Sequence, residues 1–437
     1  MPGTKIFSSF IRMNNKPTIS PWGWVPSLYF AQGLPYVIVI TVSTIIYKNL
    51  GLSNAEITLY TGWLYLPWVI KPFWSPIIDN IRTKRFWVVS TQVVMGVLLA
   101  ATGLTLPAPG FVKWSLIFFW LIAFSSATHD IAADGFYMLG LDDHQQSFFV
   151  GIRNTFWRIA AITGQGGLVY LSGMLINSDI GAKKAWMMLL VATGIIYFSI
   201  GIYHKFLMPH TSSDEPRNLH SGKEALRRYF FTILNFFRRK GIIIFLLFIL
   251  TYRLGEAQLT KLAAPFLLDS QDKGGLALTN EQVGWAYGTV GMLGLVLGGI
   301  LGGIAVAKHG LKFWFWPMAL AINLPDILYV YLAHFQPDNF ILIQSFIAIE
   351  QLGYGFGFTA FTLYLIYFVK GENKTSHYAF ATGLMALGMM VPGMLSGWIQ
   401  EILNYEKFFV WVLLCTIPSF LILPFIKIDK HFGKKKE

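Results

Sequence analysis

Ser75-Pro76-Ile77-Ile78-Asp79-Asn80-Ile81-Arg82-Thr83-Lys84-Arg85 and, far downstream, Gly303-Ile304-Ala305-Val306-Ala307-Lys308-His309-Gly310-Leu311-Lys312 are two short segments of one design. Each ends a long apolar run and closes on a cluster of bases. Counting outward from them gives twelve apolar runs long enough to cross a bilayer. The first six lie at Trp24–Tyr47, Ala55–Ile78, Phe86–Leu106, Val112–Met138, Phe148–Ile176 and Lys184–Leu207. The second six lie at Ile242–Leu267, Glu281–Val306, Phe313–His334, Asn339–Val369, His377–Leu403 and Phe408–Ile426. The two segments follow spans two and eight, equivalent positions of two six-span sets. This is the mark of a parallel internal repeat. The expected organisation is a six-helix bundle over 1–207, a linker over 208–240, and a second bundle with a basic tail over 241–437.

Composition agrees with that class. Hydrophobic residues make up 54% of the chain and charged residues 13%, and the mean hydropathy is +0.53. Soluble domains carry about 25% charged residues. Only helices and closed barrels satisfy the backbone in lipid, and runs of this length exclude the short alternating strands of a barrel. The chain is therefore read as an all-α integral membrane protein. Its one cysteine, Cys415, rules out an internal disulfide framework and a thiolate metal cluster. No cleavable signal peptide is expected, since the stretch from Met1 to Pro21 lacks a compact apolar core; span one is expected to act as an uncleaved anchor.

The net charge of +12 does not point to nucleic acid, because the bases gather at alternate ends of the spans. With the N-terminus in the cytoplasm, that side receives Lys5, Arg12, Lys16, Arg82, Lys84, Arg85, the linker bases, Lys308, Lys312, Lys370, Lys374 and the basic tail. The other side receives only Lys48, Lys113, Lys183, Lys184, Lys273 and Lys407. Both termini are thus expected to be cytoplasmic. Within the linker, Ser221-Gly222-Lys223-Glu224 opens a basic amphipathic stretch closing on Arg238-Arg239-Lys240, read as an interfacial helix. It serves either as a tether or as a regulatory element.

Lys71, Asp130, Asp134, Arg158, Arg253, Glu256, Lys261, Asp326 and Glu350 fall inside the apolar spans. Each such charge costs roughly 2.5–3.5 kcal/mol at mid-bilayer. Left unpaired they would together cost on the order of 25 kcal/mol, more than the ~5–15 kcal/mol that holds a folded domain together. They must pair or face a wet cavity. Bases and acids nearly balance, which reads as a solute pathway.

The two loop segments resemble the loop of the major facilitator superfamily: glycine, three residues, an acid, a base, one residue, glycine and two bases. The first copy keeps the acid and the bases but has Ser75 and Arg82 at the glycine positions. The second keeps both glycines but has Ala307 for the acid. Further segments resemble the AmpG family of muropeptide permeases within that superfamily. These are Gly33-Leu34-Pro35, the run from Lys71 to Asp79, Ser125-Ser126-Ala127-Thr128-His129-Asp130-Ile131-Ala132-Ala133-Asp134, and Tyr252-Arg253-Leu254-Gly255-Glu256. Two positions depart from the family, with His129 for a glutamine and Glu256 for an apolar residue. The resemblance implies a proton-coupled importer of anhydromuropeptides or anhydromuramyl sugars in a bacterial inner membrane. Acetyl-CoA transporters resemble the same family, so acetyl-CoA or another anionic metabolite is the alternative solute.

Asp130 and Asp134 are four apart and share one face of span four. Two acids there disfavour simultaneous ionisation, which makes them candidates for proton coupling; a static ion-pair network is the competing reading. Lys71, Arg158 and Arg253 are candidate counter-charges. The candidate solute contacts are Lys71, Arg158, Tyr252, Arg253, Glu256, Glu350 and Gln351, with Gln165, Trp157 and Trp63 as further possibilities. Asp79, Arg82, Lys84 and Lys308 are candidate gating residues, Asp79 taking bonds from neighbouring bases or helix N-termini. No cofactor or metal site is expected, and no spacing supports a membrane-embedded cell-wall enzyme. A non-transporting receptor is opposed by the buried charges. The protein is expected to act as a monomer in the bilayer, with protons and a small anionic solute as its partners.

Overall fold

The computed structural model describes residues 19–75, 78, 81–141, 143–211, 214, 230–231, 233–369 and 374–433, and every regular element among them is helical. Ten helices are long and apolar enough to cross a membrane: Pro21–Asn49, Lys84–Thr105, Phe111–Gly140, Ile152–Ile180, Ala182–Leu207, Ile242–Leu268, Asn280–His309, Leu311–Phe335, Phe340–Phe368 and Phe380–Phe425. The two remaining spans are present in another form. Span two is segmented into Asn54–Trp63, Leu66–Ile70 and Lys71–Phe73, with Pro67 and Pro72 at the starts of the later pieces. The last helix holds spans eleven and twelve, divided at Asn404, whose φ of 64° reverses the chain. Asparagine tolerates that left-handed backbone, and its Oδ1 accepts from the Lys407 amide at 3.1 Å to start span twelve.

The repeat is visible in local chemistry. Span two begins on a capping box in which Ser53 Oγ accepts from the Glu56 amide and Glu56 accepts from the Ser53 amide. Span eight begins on the same device, built from Thr279 and Gln282. Each box satisfies two amides that a helix start would otherwise leave orphaned.

Glycines set the closest helix approaches. A Cβ at Gly298 of span eight would collide with the Leu352 carbonyl of span ten, and one at Gly355 would collide with the Leu295 carbonyl. These two glycines therefore serve helix packing, as small residues do in lipid.

Among the described residues, hydrogen bonds between the two six-span sets gather at the end distal to both termini. Lys48 Nζ reaches Asp269 Oδ2 at 2.6 Å, and the Tyr405 hydroxyl donates to that oxygen at 2.7 Å. Asn54 Nδ2 donates to Gln400 at 2.7 Å and to Tyr405 at 2.8 Å. Asn49 and Asn280 exchange bonds of 3.1 and 2.6 Å. This end is closed.

Most of the expected linker helix lies outside the described residues. Its far end is anchored: Phe236 is fully buried against Phe245, and Arg239 Nη1 donates to His377 Nδ1 at 2.8 Å. At the linker's start, Asp214 accepts from the amides of Lys84 and Arg85 at 2.6 and 3.0 Å. A carboxylate there is favoured by the helix N-terminus.

Candidate functional site

Between the two sets lies a cavity of about 310 Å³. Several of its walls come from helices whose regular winding is interrupted. Wide π turns at Ile38–Val42, Thr163–Leu168 and Ala286–Gly291 carry Ile40, Gln165 and Tyr287 to its surface. Such bulges recur at functional sites because they redirect side chains and free carbonyls. Gln165 Nε2 spends one bond on Thr41 Oγ1 at 3.1 Å.

On the first-half wall, Lys71 follows the broken part of span two and reaches span four. Asp130 accepts from Lys71 Nζ and from Gln32 Nε2. One turn on, Asp134 accepts from the Tyr29 hydroxyl at 3.0 Å and pairs with Arg153 Nη2 at 3.1 Å. The Arg153 guanidinium lies over the rings of Tyr29 and Tyr137, 4.4 and 5.1 Å from their centroids, a placement that favours a planar cation. Arg153, Tyr29 and Gln32 escaped the sequence reading. Arg153 sits near a span end, where a base reads as an interfacial anchor, and the two neutral residues carry no charge signal. Arg158 does not pair with either aspartate; its Nη2 faces Gly299 of span eight, 3.7 Å from where a Cβ would stand. His129 lies in a buried chain, bonded to Gln92 at 2.9 Å, with Gln92 bonded to His204 at 2.8 Å.

On the second-half wall, span seven breaks at Tyr252 and Arg253. Arg253 lines the cavity, bonds the Tyr354 hydroxyl and lies 4.8 Å from the Phe358 ring centroid. Tyr252 is in the core instead, donating to the Gly357 carbonyl at 3.0 Å. Lys261, about two turns further along span seven, donates to Thr61 Oγ1 at 3.0 Å and the Ile40 carbonyl at 3.3 Å, so it bridges the halves. Gln351 lines the cavity and turns its Nε2 back to Glu350 at 3.0 Å. Glu256 and Glu350 are both 1% exposed and lie behind this wall, where carboxylate oxygens of Glu256, Asp326 and Glu350 stand within 4.8 Å of one another. The grouping with Asp326 was not legible from spacing. Trp157 lines the cavity, whereas Trp63 is 43% exposed.

The expected gating residues are dispersed. Asp79 lies outside the described residues. Arg82 sits over the Phe86 ring at 5.6 Å, Lys84 starts span three, and Lys308 is exposed in the last turn of span eight.

A family model described as the Major Facilitator Superfamily matches residues 27–395. A transporter of Rickettsia conorii named AmpG 4 is 23% identical, with 91% of this chain and 94% of that one covered. The anhydromuropeptide permease of Escherichia coli K12 is also 23% identical, covering 91% of this chain and 77% of its own. Among solved structures, a bacterial homologue of the human lysosomal transporter Spinster, inward-facing and unoccupied, aligns with a TM-score of 0.67 at 16% identity over 97% of each chain.

Proposed function

The chain belongs to the major facilitator superfamily, and from that premise we propose that this multi-pass transporter imports an anionic muropeptide-like solute together with protons. The single observation that carries the solute class is the cationic wall. Lys71, Arg253 and Lys261 all face one chamber, and Lys261 bonds only neutral oxygens there. A carboxylate or phosphate entering the chamber supplies the missing counter-charge. Kinship with an anhydromuropeptide permease supports a glycopeptide. The same three cations suit acetyl-CoA or another anionic metabolite, which is the competing solute.

In this reading residues 1–207 and 241–437 are the two bodies of an alternating-access cycle, joined by 208–240. The basic-side count supports cytoplasmic termini, and kinship with the Escherichia coli permease supports a bacterial inner membrane. The closed distal end then shuts the chamber on the side away from both termini. Lys71, Arg253 and Gln351 contact the solute directly, with Arg158 at the seam. Glu256 and Glu350 act through Gln351, and Tyr252 by holding the break in span seven. Asp130 and Asp134 couple protons, and Asp79, Arg82, Lys84 and Lys308 steady the cytoplasmic loops as the halves rock.

Uptake of labelled anhydromuropeptide into proteoliposomes under an imposed pH gradient tests the reading. Accumulation, abolished by collapsing the gradient, is expected. Accumulation of acetyl-CoA instead selects the alternative solute, and binding without accumulation of either marks a receptor.

A further inference from the structure

Behind the second-half wall three carboxylates share one small volume, and their surroundings do not account for them. Carboxylate oxygens of Glu256, Asp326 and Glu350 lie within 4.8 Å of one another, and each residue is 1% exposed. Glu350 accepts from Gln351. All four carboxylate oxygens of Glu256 and Asp326 lack a hydrogen-bond partner, as does the buried hydroxyl of Tyr329, which lies within electrostatic reach of all three acids. Among the described residues the base acting on Glu256 is Arg253, and Arg253 is turned to the Tyr354 hydroxyl and the Phe358 ring. Among the described residues the three acids therefore face one engaged cation.

Backbone breaks converge on the same point. Glu256 lies in the first turn of the half-helix Leu254–Leu268, just past the break at Arg253. Asp326 ends the tight turn Leu324–Asp326 that interrupts span nine at Pro325. A half-helix N-terminus favours the ionised form of an acid, and discontinuous helices at mid-membrane are where carriers build ion sites. The groups offered are all oxygens, without imidazole or thiolate, and that donor set selects hard cations such as sodium or calcium over transition metals.

We infer that Glu256, Asp326 and Glu350, with the Tyr329 hydroxyl as a further oxygen, form a binding site for a hard metal cation in the second half of the protein. The ion supplies the charge the acids lack and joins the two broken helices to span ten. Gln351 carries the connection to the solute chamber, since its amide is held by Glu350 while its side chain lines the cavity. The site is separate from Asp130 and Asp134, and it stands whichever solute is carried.

The test is equilibrium binding of radiolabelled sodium and, separately, calcium to the purified full-length protein at mildly alkaline pH, with choline chloride keeping ionic strength constant. Saturable binding of one of the two ions is expected. D326N and E256Q should each weaken it by at least about ten-fold, while D272N, in the exposed turn Gln271–Lys273, leaves it unchanged. The wild-type titration needs no variant to fold. Absence of saturable binding of either ion, the acids being merely protonated, overturns the proposal. So does binding that D326N and E256Q leave untouched in protein that elutes as a folded monodisperse species.

Discussion

At Asp130 the carboxylate accepts from both Lys71 and Gln32, whereas four residues on Asp134 keeps its side chain 42% exposed beside Tyr29 and Arg153. The first is a closed account of charge; the second is reachable by solvent. D134N is therefore expected to abolish accumulation driven by a pH gradient while leaving solute exchange intact, as measured by uptake with and without the gradient. Unchanged gradient-driven accumulation would sink the assignment. K71A leaves Asp130 without its base. Because Lys71 and Asp130 retain 25% and 21% exposure, a loss of about 3 kcal/mol is expected, the low end for a buried pair. Unfolding of K71A, D130N and the double variant measures it, the double variant recovering most of the loss. Lys71, Asp130 and Asp134 were legible in the sequence because a charge within an apolar run is conspicuous. Arg153 was not, because a base near a span end is ordinary.

Span two shows how an element takes its shape from a few residues. Its capping box at Ser53 starts the helix, its prolines divide it, and Asn54 near its start joins the contacts that close the distal end. Asp269 is the hub there, accepting from Lys48 and Tyr405. Removing it leaves a cation and a hydroxyl without their acceptor, a penalty of roughly 1–3 kcal/mol on the closed arrangement. D269A should shift the population toward distal opening. Spin labels placed across that end should report longer distances, and an unaltered distribution refutes the closure role. The chain's one cysteine, Cys415, is buried, which leaves introduced labels unambiguous. The capping boxes and the division of span two are local, set by Ser, Thr, Glu, Gln and Pro positions. Which end closes is not local, since Lys48 ends span one and Asp269 ends span seven, in different halves.

For the molecule as a whole, the cationic chamber sets the expected selectivity. K261Q removes one positive charge from the wall while keeping a donor for Thr61. It should weaken binding of an anionic solute roughly ten-fold, about 1.4 kcal/mol, and leave a neutral analogue unaffected. Competition binding with the two solutes decides it, and equal losses for both would assign Lys261 to packing alone. The sequence by itself determined that the chain is helical, that it carries twelve apolar runs long enough to cross a bilayer, and that one loop design recurs in its two halves. Those properties follow from the length of apolar runs and from chemistry within a few residues along the chain, where lipid permits few alternatives. Only the tertiary structure decided that Asp326 joins Glu256 and Glu350, that Arg153 serves Asp134, and that Lys261 bridges the halves. Such meetings depend on how helices rotate and how closely glycine lets them approach, and no periodicity along one strand of sequence encodes the distance to another.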